Sequence, residues 1–124
     1  MRAGEIYLAR FPFGDVPGMK LRPVLLLTDT VGSIPEVLVA YISSVIPPRP
    51  LPSDLIIDPG AMEFQGTHLK VVSALRLHKL ATIHSSSLVR YLGALGSAQH
   101  ALAHDKLRAL FGLSSEPPAV PPGS

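Results

Sequence analysis

The side chains best suited to chemistry fall in three short stretches of the chain. The first is Lys20-Leu21-Arg22, directly before Pro23 and the apolar run Val24-Leu25-Leu26-Leu27. Proline disfavours helical backbone in the residue that precedes it. Arg22 is therefore expected to be extended at the lip of a strand, its guanidinium projected from a defined backbone. An arginine placed in this way suits a placed anion, and Lys20 adds a second cation; the residues alone equally allow solvated surface cations. The second stretch is Leu75-Arg76-Leu77-His78, where strand alternation puts Arg76 and His78 on one face and the leucines on the other. An imidazole exchanges protons near neutral pH, so His78 is a candidate general acid or base, with a solvated charged pair as the alternative. The third is Ser43-Ser44 at the end of an apolar run, two hydroxyls able to serve an anion or to satisfy local backbone. Asp15, after Gly14, offers either a carboxylate or a turn residue bonded to its own backbone.

Composition confines what such groups can do. The 124-residue chain has no cysteine, which excludes disulfides, a thiolate nucleophile and a cysteine-based zinc site. His100 and His104 stand four apart on an expected helix, a spacing that can bind metal, but no third ligand goes with them. His68 and His84 have still less claim, and no metal or cofactor is assigned. A formal net charge of +2 speaks against a polybasic coat, so any anion site is local. The first residues lack the apolar run of a secretory signal, and no apolar stretch approaches the length of a membrane span. Together these predict a cytoplasmic protein with no membrane contact.

The elements that must position these residues are mostly strands. Length predicts one domain over residues 1–113, followed by a Pro-rich flexible tail, 114–124. Gly4 opens a strand rich in Ile, Tyr and Phe that stops near Pro12. Turn-forming Gly14 to Gly18 follows, and a second strand starts at Pro23, so the two form a hairpin with a long tip. Glu36 to Ile46 is apolar on both alternating faces, as a central strand is. A Pro-rich extended linker from Pro47 to Pro52 leads into a short strand beginning at Asp54. A strand-like run from Val71 to Leu77 passes into Lys79 to Ile83, and Ser86 or Ser87 is expected to cap a helical turn that runs on to Gly96. Apolar residues at Ala98, Ala101, Leu102, Leu107, Leu110 and Phe111 predict one C-terminal helix ended by Gly112. The fold class implied is mainly β with helices: a strongly bent antiparallel sheet or small barrel with the helix packed on it.

Four stretches in this order, "GEIYLARFPF", "KLRPVLLLTD", "VLVAYISS" and "LRLHKLATI", resemble the MazF/PemK toxin family of toxin–antitoxin systems. The resemblance covers Gly4 to Gly96 and leaves the final helix partly outside. It implies an SH3-like barrel, a homodimer, and sequence-selective cleavage of single-stranded RNA without metal, by attack of a ribose 2′-OH on the adjacent phosphorus. It also implies a cognate antitoxin as partner, with DNA contacted only through an antitoxin complex. Arg22 matches the catalytic arginine of the family's Arg-Pro motif, where a guanidinium fork can donate two hydrogen bonds to phosphoryl oxygens. Ser43 stands where the family usually carries a catalytic-site threonine; serine keeps the hydroxyl and loses the methyl that restricts its rotamers. Arg76 and His78 match positions where some relatives place a catalytic arginine and an acidic residue, so His78 departs from the pattern and leaves the general base open. Asp15 falls on a loop where some relatives carry an acid, and Lys20 and Ser44 are placed beside the substrate. Gyrase-binding toxins of the CcdB type share this fold, and so would a barrel that had lost its chemistry, so fold alone does not choose among them.

Overall fold

The structure, a computed structural model, describes residues 1–11 and 20–113. The tip of the first hairpin, with Asp15, and the expected tail at 114–124 lie outside the described residues. The strands are β1 (Glu5–Phe11), β2 (Lys20–Leu26), β3 (Glu36–Ser43), β4 (Asp54–Ile57), β5 (Ser73–His84) and β6 (Leu88–Ala94). They pair antiparallel in the order β4-β5-β3-β2-β1-β6. No ladder joins β4 to β6 among the described residues, so the sheet is open rather than a closed barrel. A short 3-10 helix, Met62–Thr67, precedes β5, and α1 (Ser97–Leu110) follows β6.

Alternation along the strands divides the interior in two. Ile6, Leu25, Ala40, Ile42 and Leu75 bury one cluster, joined by Phe64 of the 3-10 helix and Ala103 of α1. Ala9, Val24, Leu26, Val37 and Val39 bury the other. β3 contributes to both because it lies between β2 and β5, as its apolar character on both faces requires. Each fully buried Leu or Ile contributes roughly 1.5–3 kcal/mol. Aliphatic burial on both faces therefore holds the sheet together. The chain leaves α1 through Gly112, whose left-handed φ of 71° lets the next amide, that of Leu113, reach back to the Arg108 carbonyl at 2.7 Å. No helix among the described residues is long and apolar enough to cross a membrane.

Three local expectations are corrected. β2 begins at Lys20, and Pro23 lies inside it opposite Leu8. β2 meets β3 only over Val24 to Leu26, so Pro23 is paired on the β1 side alone, where a missing N–H is tolerated. The stretch from Leu88 onward is strand β6, not a helical turn, because Val89 and Tyr91 favour pleated backbone and the β1 edge needs a partner. Ser85–Ser87 forms only a short 3-10 turn, capped by the His84 ring, which accepts from the Ser86 amide at 3.0 Å. β5 is one continuous strand, but its pairing with β3 jumps from Ala40↔Leu80 to Tyr41↔Arg76, so Leu77 to Lys79 bulge out of the ladder.

Candidate functional site

Arg22 lines a cleft of about 290 Å³ at the end of the sheet. Strand pairing builds its floor: Arg90 on β6 stands opposite Leu8 on β1, which stands opposite Pro23 on β2. Ile42 and Leu92 complete the apolar base, and Ser44, His68 and Lys70 stand with Arg22 and Arg90 around it. Among the described residues, the charged ones lining this cleft are all cationic. Charges of one sign above an apolar floor focus their field, so the cleft attracts anions although the whole chain is nearly neutral. Arg22 makes no hydrogen bond or ion pair with any described residue, and its side chain lines the cleft. Lys20 is exposed at the start of the same strand.

His68 reaches the cleft through an unusual backbone. It closes the 3-10 helix with a left-handed φ of 54°, the only positive φ outside glycine among the described residues. Its ring Nδ1 lies 2.7 Å from the Leu92 carbonyl of β6. The neighbouring Thr67 is buried and donates its hydroxyl to the Phe64 carbonyl at 2.7 Å, which fastens the end of the helix. Gly93 permits the approach: a Cβ there would stand 2.7 Å from the Thr67 carbonyl oxygen and nearer still to that of Gly66. The sequence gives His68 little claim and offers no reason to choose Lys70 or Arg90. Their only signal there was a cation or imidazole beside an apolar run, which many surface strands carry.

The other expected site residues lie elsewhere. Arg76 donates from Nε to Asp54 Oδ1 at 2.7 Å, and His78 Nδ1 stands 3.9 Å from the same oxygen. The Asp54 side chain is fully buried, and its second oxygen accepts from the Leu51 amide at 2.7 Å. Arg76 and His78 thus approach one carboxylate, and neither lines the cleft beside Arg22. Ser43 is buried, its hydroxyl donating to the Val45 carbonyl at 3.2 Å and accepting from the Val45 amide at 3.1 Å. A larger hollow, about 530 Å³, opens between Leu51-Pro52-Ser53 and the end of α1, but its lining is mostly apolar and lacks a cation cluster. His100 on α1 packs its ring against Gly4 and 4.3 Å from the His104 ring. Burial first, and His104 second, hold the His100 imidazole below its ordinary range. Among the described residues no group of three or more His, Asp or Glu is placed to hold a metal ion.

The family model for PemK-like, MazF-like toxins of type II toxin–antitoxin systems matches residues 2–111. The chain belongs to this family. The MazF-like match runs through α1, past the Gly96 limit expected from the motifs. Among solved structures, the Mycobacterium tuberculosis toxin MazF-mt6 is 25% identical, with a TM-score of 0.69 over 89% of this chain and 98% of that one. An endoribonuclease in complex with its cognate antitoxin from a mycobacterial species gives a TM-score of 0.70 at 16% identity, over 94% and 99% of the two chains. A MazE-MazF crystal structure from Deinococcus radiodurans gives 0.62 at 17% identity, over 91% and 96%. At these last identities the likeness is one of fold. No curated protein matches this MazF-like chain.

Proposed function

We propose that this toxin is a sequence-selective endoribonuclease that cleaves single-stranded RNA without a metal ion and is held inactive by a cognate antitoxin. The observation that carries the reading is the cationic cleft, in which Arg22 faces an anion-sized space with Lys70 and Arg90 over an apolar floor. Cleavage by the neighbouring ribose 2′-OH forms a bond from that oxygen to phosphorus and breaks the bond to the 5′-oxygen. The step needs donors for the charge that grows on the phosphoryl oxygens, and a guanidinium fork supplies two of them. Ser44 and Lys20 would hold the flanking backbone, and the apolar floor would take an unstacked base. A disordered acidic antitoxin segment suits the same cleft by charge. The family resemblance adds a homodimer, which light scattering at micromolar protein would register as twice the chain mass. A monomer would count against it.

The deciding experiment incubates the purified chain with mixed-sequence single-stranded RNA in EDTA. Cleavage at a restricted set of sequences supports the reading, and its absence removes it. A second reading, a binding module that keeps the fold without chemistry, is favoured by the commitment of Ser43 to Val45 and of Arg76 to Asp54. The same assay separates the two, since a binding module retains RNA without cutting it.

A further inference from the structure

We propose that His68 is the general base of the cleavage reaction, an inference that rests on the endoribonuclease reading. Among the described residues, the charged side chains facing the cleft are Arg22 from β2, Lys70 from the segment after the 3-10 helix and Arg90 from β6, and none of them is a carboxylate. Among the described residues lining the cleft, His68 is the one imidazole, the side-chain type best suited to general acid–base work. Geometry also assigns its tautomer. A carbonyl oxygen can only accept, so at 2.7 Å from the Leu92 carbonyl, Nδ1 carries the proton. In the neutral ring Nε2 is then the lone-pair nitrogen, and no described residue bonds to it. The same carbonyl orients the ring, much as a catalytic histidine is oriented by a partner on its other nitrogen. The left-handed backbone at His68 is a rare conformation kept by its surroundings, a feature that concentrates at functional sites.

In the step assigned here, His68 Nε2 takes the proton of the ribose 2′-OH as the 2′-oxygen bonds to phosphorus. The bond from phosphorus to the 5′-oxygen breaks, and the departing oxygen takes a proton from solvent water. The imidazolium then returns its proton to solvent, so protons balance. The products are a 2′,3′-cyclic phosphate and a free 5′-hydroxyl. Arg22 meets the phosphoryl charge, which keeps the roles of base and donor on separate side chains. His78, 3.9 Å from Asp54 Oδ1, is not among the described residues that line the cleft.

The test uses the full chain with the same RNA in EDTA and two substitutions that a left-handed backbone accepts, His68→Asn and His68→Gly. The expected result for His68→Asn is a loss of about a hundredfold or more in cleavage, with RNA affinity kept and the rising limb of the pH–rate profile flattened. His68→Gly should regain cleavage when imidazole is added, a rescue that a merely structural residue would not give. His78→Ala should keep both rate and limb. Wild-type cleavage with an unchanged rate and limb in His68→Asn overturns the assignment while leaving the endoribonuclease reading standing. So does a His68→Gly variant that binds RNA but is not rescued. Wild-type protein that cuts no RNA overturns both.

Discussion

Arg22 and Arg76 carry the same side chain and differ in what holds them. Arg76 is committed to a fully buried carboxylate, whereas Arg22 has no ion-pair partner among the described residues and lines the cleft. On the proposed reading, removing the first should act on stability and removing the second on rate. Arg22→Ala should lower RNA cleavage about a hundredfold or more with the melting temperature unchanged, and Arg22→Lys should stay impaired because a point charge does not reproduce the fork. Initial-rate assays on the three proteins check this, and equal rates would refute it. Asp54→Ala should instead cost about 3–5 kcal/mol in urea unfolding, because it leaves a mostly buried guanidinium unpaired and frees the Leu51 amide. A loss below about 1 kcal/mol would mean that water replaces the carboxylate there.

At the scale of elements, the site depends on how closely the 3-10 helix Met62–Thr67 can press on β6. That closeness exists because position 93 has no side chain. Gly93→Ala forces backbone, not a flexible side-chain end, to move, and should destabilise the protein by about 1–3 kcal/mol. It should also pull His68 from Leu92, so cleavage should fall further than the stability loss explains; thermal melts paired with rate assays would separate the two effects. α1 carries a different liability. His100 packs against Gly4 with Nε2 buried and without a hydrogen-bond partner among the described residues, and burial followed by His104 lowers its readiness to take a proton. The unfolded chain therefore binds that proton more readily than the folded one. Stability present above the ordinary value of 6.5 should decline as pH falls from there through the folded value. His100→Leu should show a smaller drop in melting temperature between about pH 7 and about pH 5 than the wild type. An equal drop in both would place the acid sensitivity elsewhere.

For the whole molecule, a net charge of only +2 coexists with a cleft whose described charged residues are cations. Binding of single-stranded RNA should therefore be local and saturable, with a modest dependence on salt. If Arg22, Lys70 and Arg90 together neutralise three phosphates, the logarithm of the affinity should fall with the logarithm of salt at a slope of about −2. Fluorescence titrations across a salt series measure it. A much steeper slope would point to a wider basic surface than the cleft, and a flat one to binding without phosphate contacts.

The sequence by itself determined the order and type of most elements. Strand-favouring residues after Gly4 marked β1, apolar residues on both alternating faces marked β3, a short apolar run after the Pro-rich linker marked β4, helical spacing with Gly112 marked α1, and four motifs in order marked the family, because local backbone preference and hydrophobic period are written residue by residue. Pro23 likewise announced a strand with a cation at its lip, although not that the strand begins before it. The tertiary structure decided which of the candidate residues meet. Ser86 to Gly96 became 3-10 turn and strand because the β1 edge was open for pairing, a long-range condition that no cap residue reveals. Alternation put Arg76 and His78 on one strand face, but only the β4–β5 register sets Asp54 against Arg76 and brings both side chains near that carboxylate. His68 became a site residue through a left-handed turn, a missing Cβ at Gly93 and a carbonyl on Leu92, three contributions from segments distant in the chain. Spacing carries a strand's faces, but only the folded chain determines which segment will lie across from them.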